Sequence, residues 1–275
     1  MTTSDEQPPY SPDPMDALTR LRNPATQRTD PKTQWLLEAG LAAISTSFKE
    51  KRTPAALPLN VVWPTQERVI ACYREQRGDP KATRGLLDHR WRTMSDYYFD
   101  LLAWALHPGH YASHRGMAQD AARHVVGAGD LSVVARGIAL AELADVFASP
   151  IFRMKLLICV MEPVAPAFHH ALARYYGAAT EWWSEAYRAI LLAAGLELRS
   201  EIRMETFAAL MSAMEEGLAL RYVACPEEFD HDIEKLAHSL ALGALALING
   251  ATAEPGDATT LAEYLQRRFG RGDQS

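Results

Sequence analysis

The stretch KATRGLLDHRWRTMSDYYFDLLAWAL, residues 81–106, decides the fold. Leu86, Leu87 and Trp91 recur at helical spacing, and so do Tyr98, Leu101, Leu102 and Ala105. Between the two sets lies Arg92-Thr93-Met94, a break after which Thr93 or Ser95 starts the second helix. Asp79-Pro80 opens the first helix, and the second runs out at His107-Pro108. The stretch thus reads as two helices joined by a turn.

Such a pair has a functional meaning if the second helix leaves its N-terminal end bare. Base edges are read by polar groups on that end, and surrounding cations hold phosphates. Thr93, Ser95 and Tyr97 fall on the first turn with Tyr98 beside them. Arg84, Arg90 and Arg92 flank the turn, and Lys81 sits at the start of the preceding helix. The candidate DNA contacts are therefore Lys81, Arg84, Arg90, Arg92, Thr93, Ser95, Tyr97 and Tyr98. Asp88, Asp96 and Asp100 oppose this reading wherever they face phosphate. The competing reading is two ordinary packed helices with a charged surface.

Outward from this stretch the pattern stays helical. Residues 1–30 hold Pro8, Pro9, Pro12, Pro14 and Pro24 among few large apolar side chains, and are expected to form a disordered or loosely docked tail. Asp30-Pro31 starts a helix carrying Trp35, Leu36, Ala39 and Ile44. A second, from Pro64-Thr65, carries Val69, Ile70 and Tyr73 and stops at Gly78. Later helices are expected from Asp130, from Ser149-Pro150, over 167–194, from Ser200, from Pro226 and from Asp257. Period-2 alternation is nearly absent, so no sheet is predicted. The class is all-α: a short helix-turn-helix bundle over 31–110, then a larger helical domain over 111–270.

In the larger domain Met154, Met161, Phe168, Trp182, Trp183, Phe207 and Met211 put large, adaptable side chains on successive helices. They suit either a plain core or a cavity for a hydrophobic effector. The helix near 236–251 sets Ala237, Ala241, Gly243, Ala244 and Ala246 among leucines. A helix so apolar must be covered, by a second copy or by its own chain.

Composition narrows the choices. The net charge of −6 argues against a general nucleic-acid coat. Its distribution is uneven, however. Over 65–92 basic residues outnumber acidic ones, and over 140–235 the acids prevail. Cys72, Cys159 and Cys225 are far apart and form no CxxC, so neither a disulfide frame nor a zinc site is suggested. The most apolar run, 236–251, is shorter than the roughly 18 residues of a membrane span. Nothing resembles a secretory signal, and a cytoplasmic location is expected. His169 and His170 point about 100° apart on a helix and do not share a metal. His107, His110 and His114 stand around Pro108-Gly109 and are expected to be surface histidines. There is no P-loop, dinucleotide turn or Gly-x-Ser-x-Gly elbow, so no enzyme, cofactor or metal is expected.

Two passages carry a family resemblance. Trp182, Trp183, Ala189, Leu192 and Ala193-Ala194-Gly195-Leu196 form one. FAALMSAMEEGLALR, residues 207–221, followed by Cys225-Pro226-Glu227-Glu228, forms the other. With the order of small helical bundle then larger helical domain, they resemble TetR-type bacterial transcriptional regulators. In the DNA-binding half Met94-Ser95 takes the place of the family's Val-Ser. The glycine of its tight turn is missing, and the stretch is about two residues longer. The resemblance implies a homodimer that binds double-stranded DNA and answers to a small-molecule effector. The departures leave an alternative: a helical ligand-binding or interaction protein whose helix-turn-helix no longer contacts DNA.

Overall fold

The computed structural model describes residues 13–49, 63–111, 123, 131–161 and 167–269. In chain order its helices are α1 (Pro24–Gln27), α2 (Pro31–Lys49), α3 (Gln66–Arg77), α4 (Gly85–Asp88), α5 (Met94–Ala105), α6 (Leu131–Ala148), α7 (Pro150–Met161), α8 (Ala167–Ala193), α9 (Met204–Ala224), α10 (Ile233–Ala251) and α11 (Leu261–Phe269). The all-α class stands. One departure is a two-residue antiparallel pair, Glu197–Leu198 with Thr252–Ala253. The strands are too short for alternation to register in sequence.

The chain divides into two compact units, residues 1–112 with 149–176, and 113–148 with 177–275. The linear division at 110 misses that the chain returns: Met154 of α7 and Ala171 and Leu172 of α8 are buried in the first unit's apolar cluster.

In the first unit α2 buries Leu36, Leu37, Ala39 and Ile44 against Val69, Ile70 and Tyr73 of α3 and against Tyr97, Leu101 and Leu102 of α5. These are the i, i+3, i+4 positions of each helix, as an apolar stripe requires. Thr65 caps α3 by accepting the Arg68 amide, and Gly78 ends it in the left-handed region that glycine enters without strain. Both Nε and Nη2 of Arg74 donate to the Ala82 carbonyl, at 2.8 and 2.6 Å, and close the loop to α4.

The expectation of a loose tail over 1–30 is corrected for residues 13–30; residues 1–12 lie outside the described residues. Leu18 and Leu21 are buried in the cluster. Leu21 bridges Trp91, and the Arg22 amide donates to the Arg90 carbonyl at 2.8 Å. The buried Asp100 carboxylate accepts the amides of Thr19 (2.8 Å) and Arg20 (3.0 Å) and the indole N–H of Trp91 (2.9 Å). Few apolar residues suffice here because polar groups inside the fold fasten the backbone.

In the second unit α6 packs along α10, and α9 packs on α10. Ala237, Ala241 and Ala244 are buried, so much of the small-residue face of α10 is spent within this chain. A Cβ on Gly243 would stand 2.5 Å from the Met214 sulfur, which fixes how near α9 approaches. The buried Arg199 donates to the carbonyls of Gly250 (3.1 Å) and Thr259 (2.7 Å) and lies 4.6 Å over the Tyr264 ring, tying the short strand pair to α11.

Candidate nucleic-acid interface and ligand cavity

The turn between α4 and α5 is built by local rules. Thr93 accepts the Asp96 amide, and the Asp96 carboxylate accepts the Thr93 amide, a reciprocal cap. Leu87 and Trp91 hold the stretch from the core side. Lys81, Arg84, Arg92, Thr93 and Ser95 are then exposed, as the spacing predicts.

Three of the proposed contacts are elsewhere. Arg90 is 2% exposed. Its guanidinium pairs with Asp30 and donates to Thr33 Oγ1 at 2.9 Å and to the Leu86 carbonyl at 3.1 Å, so it is an internal tie. Tyr97 is fully buried, its hydroxyl donating to the Leu36 carbonyl at 2.8 Å. Tyr98 is half-buried and donates to the Pro64 carbonyl at 2.8 Å. Tyr97 and Tyr98 lie on the side of α5 that carries Leu101 and Leu102, and Arg90, past the end of α4, is drawn inward by Asp30 and Thr33. Thr93 keeps its hydroxyl in the cap, which leaves Ser95 as the one uncommitted hydroxyl on that first turn. Of the opposing acids, Asp100 is turned inward, Asp96 serves the cap, and Asp88 is exposed and accepts from Gln66 at 3.0 Å. Arg84 pairs with Glu67 across the surface.

Sequence reasoning missed Thr83 and His89, both exposed on the same strip. The signal was available for His89, which lies opposite Leu87 and Trp91 in the helical period; Thr83 shares their face in that period, and it is exposed because the helix begins only at Gly85. The polar groups thus concentrate on α4 and its flanks more than on α5.

The second unit holds a partly open cavity of about 60 Å³. Val134, Ile138 and Glu142 line it from α6, Trp183, Tyr187 and Ile190 from α8, Met211, Met214 and Glu215 from α9, and Leu240, Ala244 and Ile248 from α10. Trp183 stacks on Tyr187 at 5.3 Å, and Tyr187 meets Phe207 edge-on at 5.4 Å. Of the predicted effector contacts, Trp183 and Met211 line the cavity. Phe207 is fully buried behind Tyr187. Trp182 is half-buried and off the wall. Met154 is corrected outright, since it fills the first unit's core. The side chains of Met161 and Phe168 lie outside the described residues.

The sequence reading passed over Glu142 and Glu215, the charged groups of the lining. Each stands four residues after an apolar lining residue, Ile138 or Met211, and so shares its face. Burial, then the charges of Glu215 and Asp145, push the Glu142 carboxyl up to about 8. Burial also raises the Tyr187 hydroxyl far above its ordinary value. Glu142 therefore holds its proton at neutral pH.

The histidine reading changes for His107 and holds for His110, which is exposed. His107 is buried, and its Nδ1 accepts the Gly109 amide at 3.1 Å. His110 packs edge-on against Trp104 at 4.5 Å. His114 is outside the described residues. Among the described residues no group of three or more His, Cys, Asp or Glu is placed to hold a metal, and no helix is long and apolar enough to cross a membrane.

Fold and sites together define an all-helical chain with a two-helix basic turn in one unit and an acidic, aromatic-walled cavity in the other. No family model and no curated protein matches it. Among solved structures it is similar to a TetR transcription regulator from Haloarcula marismortui ATCC 43049, at 14% identity over 81% of this chain and 99% of that one, with a TM-score of 0.49. A likeness of that degree leaves the family open, and the functional reading stands on the residues themselves.

Proposed function

We propose that this chain is a homodimeric, ligand-responsive regulator that binds double-stranded DNA through the strip from Lys81 to Ser95. The observation that carries the proposal is the exposed run of Lys81, Thr83, Arg84, His89, Arg92 and Ser95 leading into the capped start of α5. The cations would position phosphates, and the short polar groups would meet base edges. The cavity in the second unit would receive the effector. Partner apposition is supported by leucines left open on the second unit's helices, including Leu210 at 49% and Leu242 at 55% exposure. Ligand binding then acts on DNA affinity through its different affinity for two arrangements of the dimer.

A second reading, a helical ligand-binding protein that does not contact DNA, is favoured by one observation: Arg84 is already paired with Glu67 beside the exposed Asp88. Anisotropy titrations of fluorescent genomic duplexes over a range of salt decide between them. A regulator loses affinity linearly in log salt. Lys81→Ala with Arg92→Ala should make that slope shallower by about 2 per protomer. Absence of binding at low salt to any fragment selected from the source genome supports the second reading and overturns the first.

A further inference from the structure

From the pairing of the N-terminal stretch with the basic turn we infer that residues 19–23 belong to the same nucleic-acid surface, with Arg20 and Arg22 set on backbone phosphates of duplex DNA beside those met by Lys81 and Arg92. The inference rests on the proposed DNA-binding reading and extends that site onto a part of the chain outside the Lys81–Ser95 strip.

The stretch is fastened to the turn through its main chain, which leaves its polar side chains to solvent. Leu21 and Trp91 form an antiparallel bridge and are both buried. That register sets Arg20 opposite Arg92 and Asn23 opposite His89. The Arg22 amide donates to the Arg90 carbonyl at 2.8 Å, and the Arg20 amide donates to the buried Asp100 carboxylate at 3.0 Å. Gln27, itself buried, accepts the Asn23 amide at 3.0 Å and donates to the His89 carbonyl at 2.9 Å. Arg20, Arg22 and Asn23 are exposed. The Arg20 guanidinium lies 5.3 Å over the Phe99 ring, and Arg22 Nε reaches the Trp91 carbonyl at 3.5 Å, so both cations stay at the turn.

Charge then points to the partner. Cations facing each other across an antiparallel pair destabilise it, and here the facing residues are Arg20 and Arg92. Among the described residues no carboxylate forms an ion pair with Arg20, Arg22 or Arg92. The Asp100 carboxylate near Arg20 is buried and already accepts three N–H donors. Asp88, the exposed acid of the strip, accepts from Gln66. A polyanion supplies the missing counter-charge. Guanidinium forks match phosphate oxygens, and phosphates recur closely enough along a duplex to meet cations from two adjoining segments. Because the backbone beneath Arg20 and Arg22 is already fixed, little further ordering is needed on binding.

The test is the salt dependence of duplex binding by the full chain, read by fluorescence anisotropy on fragments selected from the source genome. Arg20→Ala with Arg22→Ala should make the slope of log affinity against log salt shallower by about 2 per protomer. The loss should be the same on every fragment the parent binds, with the urea midpoint unchanged. Arg20→Gln with Arg22→Gln removes the charge but keeps most of the length, and gives the same readout should the alanine pair unfold. Arg20→Lys with Arg22→Lys should keep the parent slope. A parent that binds while both neutral pairs keep its slope overturns the inference and leaves the regulator reading standing. An equal loss in the lysine pair also overturns it, since charge is then not what the arginines supply. A slope that falls with Arg20 and Arg22 but not with Lys81→Ala and Arg92→Ala upholds this contact and sinks the Lys81–Ser95 strip. A parent that binds no fragment at low salt ends both.

Discussion

Gly40 lies directly against Tyr97: a Cβ built on the glycine would stand 2.0 Å from the tyrosine oxygen, the same oxygen that donates to the Leu36 carbonyl one helical turn earlier. The close approach of α2 and α5 depends on that missing methyl group. Gly40→Ala is expected to destabilise the first unit by roughly 1–3 kcal/mol, the range for overpacking a filled core. Tyr97→Phe removes a hydrogen bond but also the clashing atom, and alone should cost about 1 kcal/mol. In the double variant the glycine substitution should become cheaper. Urea unfolding of the four proteins of the cycle checks this, and strict additivity would show that the two side chains do not meet.

Arg90 and Arg92, two residues apart, are expected to fail in different ways. Arg90→Ala strands Asp30 in a partly buried position and should lower stability by roughly 3–5 kcal/mol. Arg92→Ala should leave the unfolding midpoint within about 0.5 kcal/mol of the parent, since an exposed side chain is lost. Any DNA-binding defect of the Arg92 variant should therefore appear in the salt slope with stability intact. A comparable loss of stability in both would contradict the placement of Arg90.

Glu142 gives the second unit a pH signature. The folded chain keeps this proton between the ordinary carboxylate value of 4.5 and about 8, while the unfolded chain has released it. Folding takes up a proton in that window, so stability falls as pH rises through it. Glu142→Gln removes the term. The variant should be more stable than the parent at pH 8, with the difference shrinking toward pH 5. Chemical unfolding at both pH values measures it, and a gap independent of pH counts against a buried protonated carboxyl.

His107 works in the opposite sense in the first unit. Burial, then the charges of Arg174 and His110, lower its imidazole from 6.5 to about 4. Between those values the unfolded chain binds a proton that the folded chain refuses. Stability is therefore lost as pH drops from about 6.5 to about 4. His107→Asn keeps an acceptor near the Gly109 amide and should flatten that part of the stability–pH curve. Thermal unfolding from pH 7 to pH 4.5 provides the comparison.

Most helices were legible because spacing and caps are local, as the Thr93 cap and the Gly78 stop show within a few residues. The helix expected from Asp79-Pro80 through Trp91 is instead the single turn Gly85–Asp88. Side-chain direction in the basic turn was only half legible. Arg90 and Arg92 look alike in sequence, and what separates them is Asp30 and Thr33, some 60 positions away. The tail was misread for the same reason. Its anchors are Asp100 and Trp91, and hydrophobic content says nothing about a distant carboxylate. Met154 groups with Trp183 and Met211 in the sequence because the three share a character. The chain's return into the first unit is a long-range fact that no window contains. Glu142 was visible as a carboxyl on an apolar row, but its neighbour Glu215 sits on another helix.

The segment from Asp13 to Asp30 therefore sets a practical limit on dissection. A protein begun at Pro31 would lose Leu18 and Leu21 from beneath the basic turn, two of the amides that satisfy Asp100, and the carboxylate that neutralises Arg90. Trimming what looks like an expendable tail would unseat the very helices whose proposed contact with DNA such trimming is meant to isolate.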